Sequence, residues 1–375
     1  MSINSVRPVF ITQNLPRALP EPCKCTIIPP YMTEKIAGGE AVHHQHQQLR
    51  EDRARLFSGL ENVHTVKEEG PLIRVYTARN RKLIPGIYVP SPLESSDVDA
   101  RAAYHWAQKT DEFFRTFFKR DSIDNNGMPI DSTIHYGEDY NNAFWNGRQI
   151  VYGDGDEKHF ASFTADLTIA AHEIGHGLTQ FDNNLVYKDQ PGAVNEHLSD
   201  VAAAMVQEFV EDKDVHSLSW MIGDRVMIDV DGKKYALRSM SRPGTAYKNH
   251  PTFGDDPQPA SMEDFVKTES DNGGVHINSG ILNRAFYEAS KNFANLNPKY
   301  AHTRDGTGRV WYNARSQISS TATFTEFAQA TITAAEALYG VESQEVKEIR
   351  NAWAEVRVLG VSPEKEKKGC KCALV

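Results

Sequence analysis

His172-Glu173-Ile174-Gly175-His176 constrains this 375-residue chain more than any other stretch, because it sets two histidines four residues apart on a segment, 164–179, whose composition favours helix. At that spacing both imidazoles leave one helical face with their Cβ atoms about 5–6 Å apart, close enough to grip one tetrahedral zinc ion. Glu173 then stands beside the metal's open position, an arrangement suited to hydrolysis. The pattern is short and also arises by chance, so a third protein ligand is required.

Beyond His176 comes Asn195-Glu196-His197-Leu198-Ser199-Asp200, on a helical segment whose Val194, Leu198, Val201, Met205 and Phe209 mark a buried stripe. A carboxylate at the start of a core-packed helix is costly to bury unless it meets a cation, which favours Glu196 as the third ligand. Asp200 and Asn195 are natural acceptors for the outward nitrogens of His172 and His176. Asp182 is the rival ligand, but Asn183-Asn184 follow it and a turn role is preferred. His197 also lies near, pointing about a hundred degrees away from Glu196 on the same helix.

The remaining composition narrows the class. Hydrophobic residues make up 40% of the chain, enough for a substantial core, and the formal net charge of −9 leaves no basic footprint for nucleic acid. No apolar run reaches the ~18–20 residues of a membrane span, and residues 1–22 interrupt with prolines the apolar core a Sec signal needs, so a cytoplasmic protein or a non-Sec export route is expected. The four cysteines sit at the two ends, as Cys23/Cys25 and Cys370/Cys372. Two solvated thiol pairs are the plain reading, with a shared metal site or an end-to-end disulfide as the alternatives that spacing alone does not support, and no disulfide is expected to hold the core.

Along the chain the spacing predicts a leader over 1–70, with a short helix near Tyr31–Ile36, and then a β-rich lobe over 71–178. That lobe contains short strand-like runs between Leu72 and Val89, a helix over Asp97–Lys119, alternation over Ile134–Tyr152 and the zinc-binding helix. A helical lobe over 179–362 follows, with helices at Gly192–Val210, His276–Ala294, Phe324–Tyr339 and Ser343–Val356, then a basic tail over 363–375. The fold class is therefore α+β, with the metal where the two lobes meet.

Five motifs in order carry a resemblance: Asn142-Ala143-Phe144-Trp145, the HExxH, Asn195-Glu196 with Ser199-Asp200, Leu237-Arg238-Ser239-Met240, and Asp271-Asn272-Gly273-Gly274-Val275-His276. Over about 73–361 the chain resembles the thermolysin-like zinc metallopeptidases, in particular the protealysin-like branch with a short propeptide, whose leader motif Ile27-Ile28-Pro29-Pro30-Tyr31-Met32 is similar to. The resemblance implies His172, His176 and Glu196 on one zinc, Glu173 as general base and proton shuttle, Tyr187 and His276 as oxyanion donors, and Asp271 orienting His276. It also implies Asn142, Ala143 and Arg238 as holders of an extended peptide backbone. Phe160, Phe163, Ile169, Ile222, Val226 and Leu237 match an apolar pocket that selects bulky residues just after the scissile bond, though each is equally readable as core.

By the same resemblance the leader inhibits its own enzyme, with Pro29, Pro30 and Tyr31 in the cleft until cut between Leu60 and Pro71. Proline's fixed φ and missing N–H suit a segment that occupies a cleft without being cleaved. A zinc cap by Cys23 or Cys25 is the less favoured alternative. The partners are thus peptide or protein substrates and the propeptide, and the rival function is a catalytically silent scaffold of the same fold.

Two departures stand out. The family's double calcium site maps onto Thr168, Gln207, Ser219, Met221 and Asp224, too few acids for calcium, so zinc without that pair is expected; Asp154 and Asp156 are read as turn residues. The final Cys372-Ala373-Leu374-Val375, preceded by several lysines, fits a prenylation box apart from its atypical last valine; the alternative is a flexible charged tail, and lipidation at Cys372 would be the sole route to a membrane.

Overall fold

The computed structural model describes residues 25–36 and 70–360. The processing window below Gly70, Cys23, and the tail with Cys370 and Cys372 lie outside the described residues. Among the described residues no helix is long and apolar enough to cross a membrane.

The leader contributes one short helix, α1 (Pro30–Thr33), opened by proline at its first position. Five strands follow: β1 (Ile73–Arg81), β2 (Ile87–Tyr88), β3 (Ile130–Tyr136), β4 (Ala143–Trp145) and β5 (Ile150–Tyr152). They form one mixed sheet in the order β2-β1-β3-β5-β4, parallel where β3 pairs with β1 and β5, antiparallel at both edges. The β1 to β3 connection carries α2 (Val98–Phe118), started by Asp97, whose carboxylate accepts from the amides of Asp99 and Ala100. The aromatics Phe113 and Phe114 on α2 are buried against the core, as their helical spacing predicts.

The Asp154–Asp156 segment is a turn whose Asp156 carboxylate accepts from the amides of Lys158, His159 and Phe160. It leads to α3 (Leu167–Asp182), the HExxH helix, capped by Asp166. Then come α4 (Asp189–Val210), the two-residue strands β6 (Met221–Ile222) and β7 (Arg238–Ser239), and α5 (Asp271–Leu296), α6 (Thr307–Arg315), α7 (Phe324–Tyr339) and α8 (Gln344–Glu355). The architecture is α+β, with a mixed-sheet N-terminal region and a helical C-terminal region, as predicted.

Two helix starts and one unpredicted helix depart most from the sequence reading. α4 starts at Asp189, ahead of Gly192, because the Lys188 carbonyl already accepts from the Gly192 amide. α5 begins irregularly: Asn272, Gly273 and Gly274 have φ of 52°, 85° and 78°, a left-handed run that needs glycine, and regular helix starts only after it. α6 was not predicted, since the apolar side chains its nine residues bury are Val310, Trp311 and Ala314, set between polar neighbours.

Candidate active site

Two buried helices pass at one glycine to build the site. A Cβ on Gly175 would stand 2.7 Å from Ser199 Cα, so α3 and α4 can approach this closely only because that position of the HExxH has no side chain. The approach brings Glu196 to the histidines: His172 Nε2 lies 3.5 Å from Glu196 Oε2, and His176 Nε2 3.4 Å from Glu196 Oε1. All three residues are fully buried. His172 Nε2, His176 Nε2 and Glu196 Oε2 have no hydrogen-bond partner in the protein. Buried polar atoms left so cost about 1–3 kcal/mol each, and a cation at their point of convergence removes that cost. Two imidazoles and one carboxylate are the donor set of a catalytic zinc site, so the residues fit the metal.

The opposite ring nitrogens are tied down. His172 Nδ1 donates to Asp200 Oδ1 and His176 Nδ1 to Asn195 Oδ1, each at 2.8 Å, which leaves Nε2 of both rings as the lone-pair atom. Asp200 is gripped in turn by Arg238, whose Nε and Nη2 each donate at 2.9 Å, and by Asn283 Nδ2 at 2.8 Å. The rival ligands are engaged elsewhere. Asp182 pairs with Arg120 at 2.9 Å and Arg315 at 2.7 Å, while His197 accepts from Trp311 Nε1 and donates to Asn283, both at 2.8 Å.

Glu173 is fully buried; its Oε2 accepts from the Trp145 amide at 2.6 Å and its Oε1 has no partner. Burial pushes its carboxyl up to about 7 despite the neighbouring His172. Across the site, the left-handed turn at the start of α5 folds Asp271 back onto His276, accepting from Nδ1 at 2.6 Å and from the His276 amide at 2.9 Å. Burial opposes protonation of this ring, but Asp271 and Glu196 outweigh it and hold His276 up at about 9. Tyr187 donates to Glu196 Oε1 and stands 3.3 Å from His276 Nε2.

The leader lies in this cleft. The Ile27 amide donates to the Ala143 carbonyl at 3.1 Å on the edge strand β4, and the Ile28 amide to Asn142 Oδ1 at 2.9 Å. Asn142 Nδ2 donates to the Ile28 carbonyl at 3.2 Å, Arg238 Nη1 to the Ile27 carbonyl at 3.1 Å, and His276 Nε2 to the Thr26 carbonyl at 2.7 Å. Further along, Lys35 Nζ donates to the Phe253 carbonyl at 2.7 Å. Phe160, Phe163, Ile169, Ile222, Val226 and Leu237 are all buried, in one apolar cluster with Ile27, Ile28 and Met32 of the leader. Pro29 is buried and Pro30 and Tyr31 are partly so.

Cys25 corrects the expectation of solvated thiols. It is fully buried and disulfide-bonded. Its sulfur, a ring nitrogen of His176 and a carboxylate oxygen of Glu196 lie within 4.8 Å of one another.

The pattern described as "Thermolysin metallopeptidase, catalytic domain" matches residues 51–180, and "Thermolysin metallopeptidase, alpha-helical domain" matches 183–358. An extracellular metalloprotease of Pectobacterium carotovorum subsp. carotovorum is 39% identical over 319 residues, covering 82% of this chain and 89% of that one. The chain belongs to the thermolysin-like metallopeptidases. Protease PrtS of Photorhabdus sp. (strain Az29) is 32% identical over 359 residues, 91% of this chain and 93% of that one. Among solved structures, the precursor of protealysin, a metalloproteinase from Serratia proteamaculans, superimposes with a TM-score of 0.77 at 36% identity, covering 89% of this chain and 100% of that one.

This thermolysin-like chain is therefore a metalloprotease, of a family that implies a catalytic zinc. Two site residues escaped the sequence reading. Asn283, seven residues after His276 and so two turns along the same face of α5, was legible from periodicity. Gly175 was inside the motif but read only as spacing, since its closeness to Ser199 depends on the tertiary contact.

Proposed function

We propose that this metalloprotease is an endopeptidase made as a zymogen, cleaving peptide bonds on the N-terminal side of bulky apolar residues. The observation that carries the reading is the convergence of the orphaned His172 Nε2, His176 Nε2 and Glu196 Oε2 beside Glu173. His172, His176 and Glu196 would hold a zinc ion, which would supply Lewis acidity and a water of pKa about 7. Glu173, poised near 7 with Oε1 uncommitted, takes the proton of that water and delivers it to the leaving amine. His276, protonated at neutral pH and aimed by Asp271, donates from Nε2 to the oxygen that gains charge, with Tyr187 as second donor. Asn142, Ala143 and Arg238 hold the peptide through its backbone, as the edge of β4 invites. Val226, Leu237 and the four residues grouped with them form the apolar pocket.

Latency follows from the leader's bonds. Its carbonyls and amides occupy Asn142, Ala143, Arg238 and His276, the groups assigned to substrate, so an uncut leader and a substrate compete for one set of partners. We divide the chain accordingly into a leader (1–70), an N-terminal lobe (71–178), a helical lobe (179–362) and a tail (363–375). Zinc is proposed without the family's calcium pair: Thr168 stands at one of its positions with a hydroxyl that donates to the Asp166 carboxylate at 2.7 Å and accepts from the Gly223 amide at 2.9 Å, and so brings no carboxylate of its own to an ion. A cytoplasmic or non-Sec location, and a membrane tether through Cys372, stay with the sequence argument.

The test is cleavage of casein and of a peptide with a central Phe or Leu by the processed chain. Glu173→Ala is expected to abolish turnover while retaining the metal. Equal activity in that variant overturns the mechanism, and cleavage on the N-terminal side of charged residues overturns the pocket assignment.

A further inference from the structure

We propose that Cys25, once reduced, is a ligand of the latent metal centre, so that the leader is fastened to the site by a sulfur–metal bond as well as by backbone hydrogen bonds. The inference rests on the zinc reading of His172, His176 and Glu196 and deepens it. Three observations support it. The Cys25 sulfur lies within ligand reach of the same His176 and Glu196 groups that converge on the metal position, all fully buried. The His172 Nε2, His176 Nε2 and Glu196 Oε2 atoms facing that position lack hydrogen-bond partners, so three protein donors leave a tetrahedral ion one position short. The backbone directly after Cys25 is fixed on both sides of the cleft, with Thr26 O on His276 and Ile27 N on Ala143, which sets the sulfur beside the metal position without needing a flexible approach.

The chemistry makes the fastening redox-dependent. The disulfide that Cys25 forms commits its sulfur to a second cysteine. A dithiol reductant breaks that bond: its two thiols supply two electrons and two protons, it leaves as its own disulfide, and Cys25 and its partner become thiols. The Cys25 thiol then loses its proton to solvent on ligation, because the thiolate is the metal ligand. The fourth position taken by sulfur is the one the attacking water requires, so the reduced zymogen is doubly closed, by its backbone contacts and by its thiolate. Oxidation leaves the sulfur in place but bonded to a second cysteine, so that it is no longer a thiolate ligand and the backbone contacts alone hold the leader.

Cobalt(II) in place of zinc provides the readout, since a thiolate bound to it gives a near-ultraviolet charge-transfer band that imidazole and carboxylate do not. The full chain is loaded with one equivalent of cobalt(II), oxidised or reduced, and compared with Cys25→Ser, Cys25→Ala and Cys23→Ser, metal content being measured in each. The band is expected in the reduced native chain and in reduced Cys23→Ser, and its loss in both Cys25 variants and in the oxidised chain. Cobalt bound at one equivalent without the band in the reduced native chain, or a band that survives Cys25→Ser, overturns the proposal. No cobalt bound at all would instead remove the zinc reading beneath it. Leader protection, followed by limited proteolysis, is expected to be weaker in Cys25→Ala than in the reduced native chain, and equal protection would count against the fastening.

Discussion

Replacing Asp200 by asparagine removes one charge and almost no volume, and the structure says where the damage falls. Asp200 Oδ1 accepts from His172 Nδ1 and Arg238 Nη2, and Oδ2 from Arg238 Nε and Asn283 Nδ2, four donors on one fully buried carboxylate. An asparagine presents a single oxygen, so in either orientation its amide N–H₂ meets two of those donors. If the amide faces His172, the ring must accept at Nδ1 and carry its proton on Nε2, the atom required for the metal. If it faces the other way, Arg238 Nε and Asn283 collide with it. Arg238 is 1% exposed and loses its charge partner in both cases. Stripping a buried ion pair of one charge costs about 3–5 kcal/mol. Disturbing a residue that orients a metal-bound histidine typically weakens binding by about 10–100-fold. Urea unfolding of the metal-free chain should register the first loss, and zinc titration against a competing chelator the second. A variant that unfolds at the native denaturant concentration, or that stays folded and binds zinc with native affinity, would refute the reasoning.

Other perturbations follow from the same geometry. Gly175→Ala puts a methyl 2.7 Å from Ser199 Cα, and about 1–3 kcal/mol of overpacking should exceed the gain in helix propensity of about 1 kcal/mol; a melting temperature at or above native would show that the two helices yield. Adding zinc at about a thousand times its Kd should stabilise the chelator-stripped chain by roughly 4 kcal/mol, seen as a melting shift of several degrees, and no shift would argue that no metal binds the folded state. Asn142→Ala removes both bonds to Ile28, so exchange of the Ile28 amide, read by mass spectrometry, should speed up roughly tenfold for the loss of about 1–2 kcal/mol, whereas native protection would mean other contacts hold the leader. His135 is held up at about 9 by Asp154 against the pull of burial, with Asp97 on its other nitrogen. A raised folded pKa gives stability that is full below the unfolded value near 6.5 and fades as pH rises through about 9. His135→Ala should therefore lower the melting point more at pH 6 than at pH 10, and an equal loss at both would mean the ring acts by packing alone.

Legibility in the sequence tracked locality. Where a helix is set by its own periodicity and caps, as with α7 and its Thr323/Glu326 capping box, the boundaries were readable to the residue. The sheet was not, because the runs at 73–81, 87–88, 130–136, 143–145 and 150–152 are paired across long separations, and nothing in a single strand says that β3 sits between β1 and β5. α6 was missed because its cue is a nine-residue pattern that only the facing aromatic layer, Trp311 stacked on Trp353 at 5.8 Å, makes intelligible.

The metal-binding atoms were legible for a different reason: their chemistry is dictated by residue type and spacing within one helix and the start of the next, and a buried Glu196 among apolar neighbours has few other uses. What spacing could not convey is which residues hold those atoms in place. Arg238 lies 38 positions from Asp200 and Asn283 83 positions from it, yet both hydrogen-bond to its carboxylate. Cys25 was legible only as a less favoured zinc cap, with nothing in the sequence to prefer it over Cys23. In the chain it is one of two cysteines near an end, and it acquires a chemical role only because Thr26, Ile27 and Ile28 are pinned by His276, Ala143, Arg238 and Asn142. The backbone contacts that make the leader a competitor for substrate are thus also what bring a sulfur to the metal position, so latency by occupancy and latency by ligation share one anchor. Loosening Ile28 should weaken both together, whereas changing Cys25 should weaken only the second.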